Sequence, residues 1–486
     1  MWTLIRRTLQ AIGLVLAVIA GIVVLNALRA LPAGNVAPPA ADIAIDIKAA
    51  AGRLAAAIRF KTVSKPPGVP VEPKSFADFR AFLETSYPET HRTLKREIVG
   101  THSLVYRWAG SDPDAKPILL LAHQDVVPPN GTWTKPPFAG LIEGGYIWGR
   151  GSLDDKVSVL GILEAVEFLI AAGFKPRRTI YLAFGHDEEI DGKNGAQKIA
   201  ALFKQRGIRF AFALDEGSPI GVGLVPGLDR PVALIGTAEK GYLSVELISK
   251  TTGGHSSIPS RASAVRVLGE ALIKLWQDRD RARLGPPLTH TLDALTPHYG
   301  FVPRLVLANL WLFGPIVRDQ MEKIPEARAM ITTTAAITII HAGSKDNVLP
   351  STARAVINYR LLAGTTAKAM LARIRRVVRD PSITVRQFGE ANDPSPVSDR
   401  NSRSFKMLLK TTQEVFRDAL VAPTLVIAAT DARHYVGVAD QVYRFLPTRL
   451  SAKDLPRIHG VDERIAIKNY REIIRFYVQL LRNGAG

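Results

Sequence analysis

Six short segments of this chain, spread over more than three hundred residues, each set a carboxylate or an imidazole beside an apolar or glycine-rich run. His123-Gln-Asp125 follows Ile118-Leu-Leu-Leu-Ala122, Asp154-Asp155 follows Gly149-Arg-Gly-Ser-Leu153, and Glu188-Glu189 lies just beyond Ile180-Tyr-Leu-Ala-Phe184. Asp215-Glu216 follows Phe210-Ala-Phe-Ala-Leu214, His255 stands in Gly253-Gly-His-Ser-Ser257, and His459 in Ile458-His-Gly-Val-Asp-Glu463. Charges at the ends of buried strands are costly unless something pairs them. Two divalent cations would pair most of these at once, so the pattern points to metal-assisted hydrolysis. The chain has no cysteine, so any metal must sit on histidines and carboxylates.

Taken singly, the segments say little. His123 and Asp125 are two apart on an extended run, so both point the same way and Asp125 can fix the imidazole tautomer. A His-x-Asp is nevertheless commonly a satisfied polar pair. The adjacent Glu188 and Glu189 diverge, leaving one for metal and the other for protons, yet such pairs are common on solvated helix faces. Asp154-Asp155 and Asp215-Glu216 also read as loop acids or helix caps. The combination is what carries weight.

The surrounding pattern must position these groups. Continuous apolar runs at 117–122, 179–184 and 209–214 suit strands buried on both faces. Helical spacing runs from Val157 to Ala172 and from Ala196 to Gln205, so strands alternate with helices as in a mostly parallel α/β sheet. Ligands collect beyond the carboxyl ends of such strands. Near Gly236 the character changes to alternating strands at Tyr242–Ser249, Ile331–Ile340 and Ala353–Leu361. The expected organisation is an N-terminal segment 1–30, a Pro/Gly linker 31–42, an α/β unit 43–235, an inserted α+β unit 236–361, and a return to the first unit over 362–486. That return includes a strand at Thr424–Ala429 and a helix through Arg464–Arg482.

With 486 residues, 47% hydrophobic and 22% charged, the chain is long enough for two globular units. Its formal charge of +19 is spread along the whole length without a basic block or an aromatic stripe. This argues against nucleic-acid binding and suits a protein beside anionic lipid. Arg6-Arg7 precede an apolar run from Ala11 to Leu28, broken only by Asn26. Roughly eighteen residues at about 1.5 Å each nearly match the hydrocarbon thickness. The run reads as a single-pass anchor with the remainder on the extracytoplasmic side. A cleaved signal peptide, giving a secreted protein, is the competing reading. The apolar stretch Phe301–Phe313 reads as core or dimer-interface helix, with a surface for acyl chains or the bilayer as the alternative.

Seven motifs together resemble the zinc aminoacylase and carboxypeptidase metallopeptidase superfamily. They are Leu121-Ala-His-Gln-Asp-Val-Val-Pro128, Gly149-Arg-Gly-Ser-Leu-Asp-Asp-Lys156, His186-Asp-Glu-Glu-Ile190, Leu214-Asp-Glu-Gly217, Gly253-Gly-His-Ser-Ser257, Asn347-Val-Leu-Pro350 and Thr430-Asp-Ala-Arg-His-Tyr435. The superfamily includes acetylornithine deacetylase and succinyl-diaminopimelate desuccinylase. The Leu-Asp-Glu-Gly and Arg-His-Tyr motifs and the Ile-His-Gly-Val-x-Glu-Arg-Ile ending look most like the carboxypeptidase S and N-acyl-amino-acid hydrolase branch. The resemblance spans roughly residues 45–480, in the same order.

It implies a parallel-sheet di-zinc peptidase domain with an inserted lid and dimerisation domain, cleaving the amide of N-acyl amino acids or short peptides that carry a free carboxylate. Asp154 would bridge two zinc ions, for which cobalt or manganese could substitute. His123 and Asp215 would complete one ion, Glu189 and His459 the other. Glu188 would be the general base on a water between the metals, and Asp125 would orient the first histidine. The Asp154–Asp155 peptide would be cis. His255 would donate to the oxyanion, often in a partner subunit's site, so a homodimer is implied. Asn347 and Arg433 would contact substrate, the guanidinium suiting a free carboxylate. On chemistry alone His434 could replace His459; the superfamily's closing His-x-x-x-Glu, matched by His459 and Glu463, favours His459. His91, His102, His186, His290, His298 and His341 read as polar surface or helix residues. The contrasting reading is a catalytically silent binding or scaffold protein on the same fold, which a substituted ligand position would support; none is substituted.

Overall fold

The computed structural model describes residues 1–32, 37–65, 69, 72–260 and 262–486, so part of the expected linker lies outside the described residues. Eight strands form the main sheet, in the spatial order Lys95–Val99, Ser103–Trp108, Ile180–Gly185, Ile118–His123, Phe212–Gly221, Val442–Leu450, Val232–Glu239 and Leu420–Val426. The central strands read as expected: Ile118–His123 and Ile180–Gly185 are buried at every position. Their residues alternate between two cores. Leu120, Ala122, Leu182, Phe184 and Leu214 pack with the helices Ile47–Ile58, Lys156–Ala171 and Ile467–Ala485. Leu119, Leu121, Tyr181, Ala183 and Ala213 pack with helix Ala196–Gln205 and the turn Asp431–Tyr435.

The sheet is mixed rather than mostly parallel. Four adjacent strands at its centre run parallel, but Lys95–Val99 and Ser103–Trp108 form an antiparallel hairpin beside them. A connection of three residues cannot make the crossover that a parallel pair requires. Val442–Leu450 also meets Val232–Glu239 antiparallel. At the C-terminal end, Arg464–Ala466 is a short strand on Tyr146–Trp148, and the last helix begins at Ile467 instead of Arg464.

A second, antiparallel sheet is ordered Thr334–Ala342, Thr352–Leu361, Gly241–Lys250, Ile383–Asn392. The elements of this unit therefore run on to Asn392, past the expected boundary at 361. Helix Ala367–Val378 buries Met370, Ile374 and Val378 at i, i+4 and i+8, a stripe that covers this sheet rather than the first. The strand after it pairs with Gly241–Lys250. On that strand Glu246 is buried between Arg354 and Arg386 from its two neighbours. Burial pushes its pKa up, but the two guanidinium hydrogen bonds outweigh this and hold it below the ordinary value. The stabilisation is therefore complete above the unfolded pKa, about 4.3, and is lost as pH falls through the lower folded value. Glu246→Gln is expected to cost about 1–2 kcal/mol at neutral pH, a cost that shrinks as pH falls through the folded pKa, read as hydrogen exchange of the Gly241–Lys250 amides.

The N-terminal helix runs from Trp2 to Arg29 with a mean hydropathy of 2.7 over its most apolar eighteen residues. It has the length and apolarity of a membrane anchor or of a signal segment. The stretch at 301–313, expected as core or dimer-interface helix or as a surface for acyl chains or the bilayer, lies in two helices, Phe301–Leu307 and Leu310–Met321, bent by 105° and only partly buried within this chain. His102 and His186, expected at the surface or on helices, are buried. His102 stacks on Phe76 and His186 bonds Ser103 Oγ at 2.6 Å.

Candidate metal centre

Each strand end delivers one part of the site. His123 is the last residue of its strand, and Asp125 follows two residues later. Asp154 sits in the loop entering helix Lys156–Ala171, and its peptide to Asp155 is cis. Glu188 and Glu189 open a short turn, Glu188–Ile190, beyond strand Ile180–Gly185. His459 comes from the other end of the chain, on a loop where it adopts φ 59°.

These residues converge. His123 Nε2 lies 2.9 Å from Asp154 Oδ1 and 3.4 Å from Glu216 Oε1. His459 Nε2 lies 2.9 Å from the other Asp154 oxygen and 3.2 Å from Glu189 Oε2. Among the described residues, His123, Asp154 and Glu216 form one group able to hold a cation, and Asp154, Glu189 and His459 form a second. Asp154 belongs to both. Glu188 belongs to neither and stands beside them.

The structure brings Glu216, not the expected Asp215, into the first group. The pleat explains this: Asp215 continues the face of Ala213, toward the Asp431–Tyr435 turn, and Glu216 continues the face of Leu214. Asp215 is buried there, with one oxygen on the Glu216 backbone N–H at 3.0 Å and the other without a partner. His434, the alternative last ligand, is also outside both groups, with Nε2 3.1 Å from the Asp191 carbonyl.

Buried neighbours hold these groups in place. Asp125 accepts the Glu188 and Glu189 backbone N–H groups at 3.2 Å each and the hydroxyl of Ser64. His123 Nδ1 is 3.0 Å from the Asp125 carbonyl and 3.4 Å from its carboxylate. This places the proton on Nδ1 and leaves Nε2 free toward Asp154. Glu463 Oε1 accepts the N–H groups of Gly151, Leu153 and Asp154 at 3.0, 2.7 and 3.2 Å. Arg150, fully buried and paired with Glu463, donates to the carbonyls of His459 and Gly460 at 3.0 and 2.9 Å. One ion pair thus ties the Asp154 loop to the His459 loop. The Arg150 role is visible in the Gly149–Lys156 motif only once the two loops are seen together.

The electrostatics show what the donors want. Burial pushes Glu188 well above the ordinary carboxyl value, with Glu216, Asp431 and Glu189 adding to it and His123 opposing it. Burial and Asp154 push Glu216 to about 8, and burial pushes Asp215 to about 6. Hydrogen bonds donated to Asp154 and Glu189 raise His459 to about 10. Burial would depress His123, but Asp125, Asp154 and Glu216 hold it well above its usual value. Glu189 Oε1, both Asp155 oxygens and an Asp431 oxygen are buried without partners. Carboxylates crowd around two imidazoles, which is the donor chemistry that suits bound divalent cations.

The remaining expected residues fall in two places. Arg433 is largely buried in the turn Asp431–Tyr435, 3.6 Å from Asp191, which follows the Glu188–Ile190 turn directly. His255 and Asn347 are brought together elsewhere, at an exposed pairing of Gly254–His255 with Val348–Leu349 in the second unit. There Ser256 N–H donates to the Asn347 carbonyl at 3.2 Å, and His255 Nδ1 meets Ser257 Oγ at 2.7 Å. Neither residue is in a cation group of its own chain.

Comparison with known proteins identifies the family. The probable carboxypeptidase S-like 2 of Dictyostelium discoideum is 43% identical over 89% of this chain and 84% of its own length. An N-fatty-acyl-amino acid synthase/hydrolase of Danio rerio is 40% identical over 84% of this chain and 80% of its own. Among solved structures, an M20 family metallo-carboxypeptidase from Sulfolobus solfataricus shares the fold with a TM-score of 0.67 at 15% identity, covering 89% of this chain and 98% of that one. The family model for peptidase family M20/M25/M40 matches residues 119–483, a span that opens on the His123 strand and closes beyond Glu463. With the two groups able to hold a cation gathered within that span, the chain is an enzyme of peptidase family M20/M25/M40.

Proposed function

We propose that this chain is a di-zinc amide hydrolase, tethered by its N-terminal helix, that cleaves N-acyl amino acids or short peptides ending in a free carboxylate. The observation that carries the reading is Asp154, whose two oxygens each lie 2.9 Å from a different imidazole, as a shared carboxylate requires. His123 and Glu216 would complete one zinc ion, Glu189 and His459 the other; cobalt or manganese suit the same donors. When bound, the ion pair polarises the amide carbonyl and lowers the pKa of water.

The chain's own residues do the rest. Glu188, outside both groups and buried, takes the proton from water and returns it to the leaving amine. Asp125 fixes the His123 tautomer and, through two backbone N–H groups, the turn that carries Glu188. Arg433 supplies a planar fork for the substrate carboxylate, and the relatives' names, a carboxypeptidase and an N-fatty-acyl-amino acid synthase/hydrolase, both concern an amide next to such a group. His255 and Asn347 reach the site from the partner subunit of a homodimer formed through the second unit, His255 donating to the oxyanion. Arg6 and Arg7 before the apolar run place the catalytic part on the extracytoplasmic side.

Zinc-loaded full-length protein is expected to hold two ions and to hydrolyse members of a panel of N-acyl amino acids and Gly-X dipeptides. His459→Ala should leave one ion and His434→Ala two, by metal counting on purified variants. Two bound ions with no turnover of either substrate class would favour the silent binding protein instead.

A further inference from the structure

The bent helix pair Phe301–Leu307 and Leu310–Met321 packs against the last two turns of the N-terminal helix. The contact centres on Asn309, which is fully buried. Its Nδ2 donates to the Val23 carbonyl at 3.0 Å and the Leu305 carbonyl at 2.8 Å. Its Oδ1 accepts from Asn26 Nδ2 at 2.9 Å and Trp311 Nε1 at 3.2 Å. An amide offers two donors and two acceptor sites, so every one is used. The same contact gives Asn26 Nδ2, in the polar break of the apolar run, its acceptor. A fully buried amide needs partners of this kind, so the contact fixes the helix pair to the N-terminal helix.

Around this clasp the pair presents apolar side chains outward. Val302 is 69% exposed, Trp311 59% and Ile316 56%. The two helices together are as apolar as a membrane span. Yet at seven and twelve residues they are about 10 and 18 Å long, too short to cross a core of about 30 Å. Asn26 lies three residues before Arg29, so the contact sits about 4.5 Å from the end of the N-terminal helix, at the edge of the bilayer. Polar residues Arg318, Asp319, Glu322 and Lys323 gather toward the far end of the longer helix, where headgroups would receive them.

We propose that residues 301–321 enter one leaflet of the bilayer as a half-embedded hairpin, clasped to the anchor through Asn26 and Asn309, so that the catalytic part is seated on the lipid rather than held on a free tether. This rests on the reading of the N-terminal helix as an uncleaved anchor. The absence of cysteine gives a direct test. Nitroxide labels are placed singly at Leu312→Cys, Ile316→Cys, Leu16→Cys in the anchor and Ile258→Cys in an exposed loop. Each full-length variant is reconstituted in vesicles of phosphatidylcholine and phosphatidylglycerol, and its accessibility to oxygen and to a water-soluble nickel chelate is measured. Labels at 312 and 316 are expected to fall between those at 258 and 16, with a several-fold higher oxygen-to-nickel ratio than at 258. Labels at 312 and 316 as open to nickel as that at 258, with 16 still in lipid, would overturn the hairpin alone. A nickel-accessible label at 16 would overturn the anchor and the hairpin with it. Spin–spin broadening at 312 that unlabelled chain dilutes away would assign the face to a second copy and also overturn the proposal.

Discussion

Glu188→Gln is expected to lower turnover by on the order of 10²–10⁴-fold while both metal ions stay bound. The effect should be this large because the amide of Gln can neither take a proton from water nor give one to the leaving amine. Metal retention should follow from geometry, since Glu188 lies outside both cation groups while its neighbour Glu189 lies within one. The substitution also removes an acid that burial and surrounding carboxylates already press toward neutrality, so folding should not suffer. The Glu188 backbone N–H to Asp125 is untouched by the change. Metal counting beside steady-state kinetics checks both halves. Loss of an ion would make Glu188 a ligand, and retained turnover would remove it as the base.

The second large effect separates two adjacent acids. Glu216→Ala is expected to leave one ion per chain and no measurable turnover, whereas Asp215→Asn should keep two ions. Glu216 brings an oxygen to 3.4 Å from His123 Nε2; Asp215 faces away, holding the Glu216 N–H. A carboxylate in that supporting position typically tunes metal affinity by about 10–100-fold when lost, so Asp215→Asn should show weaker zinc binding in competition with a chelator, not a missing ion. The opposite pattern of ion counts would return the first cation group to Asp215.

The adjacency of these two acids shows what could and could not be read from the chain. Apolar runs located strands Ile118–His123 and Ile180–Gly185 because strands covered on both faces must be apolar throughout. They also showed that charges at their ends needed partners. Which of Asp215 and Glu216 turns toward His123 depends on the phase of the pleat, and a run buried on both faces carries no alternation to set that phase. Chain-wide patterns had a similar limit. The hairpin strands 95–99 and 103–108 alternate too weakly to separate from loop, and Ile383–Asn392 has few buried residues, so the second sheet looked one strand shorter than it is. His255 and Asn347 were legible as chemistry, yet their placement together, outside both cation groups of their own chain, is a matter of tertiary pairing. For residues 301–313 apolarity alone left core, dimer interface and an acyl-chain or bilayer surface open; the contact with the N-terminal helix shows which side faces out.

The clasp of Arg150 and Glu463 carries a consequence for how the enzyme matures. The Asp154 loop donates three backbone N–H groups to Glu463, and the His459 loop accepts two hydrogen bonds from Arg150. Neither loop has its final shape until the polypeptide through Glu463 has been made and has returned to the first sheet. A nascent chain therefore carries four of the five grouped donors, His123, Asp154, Glu189 and Glu216, long before His459 and Glu463 arrive, so a metal held here would be captured late.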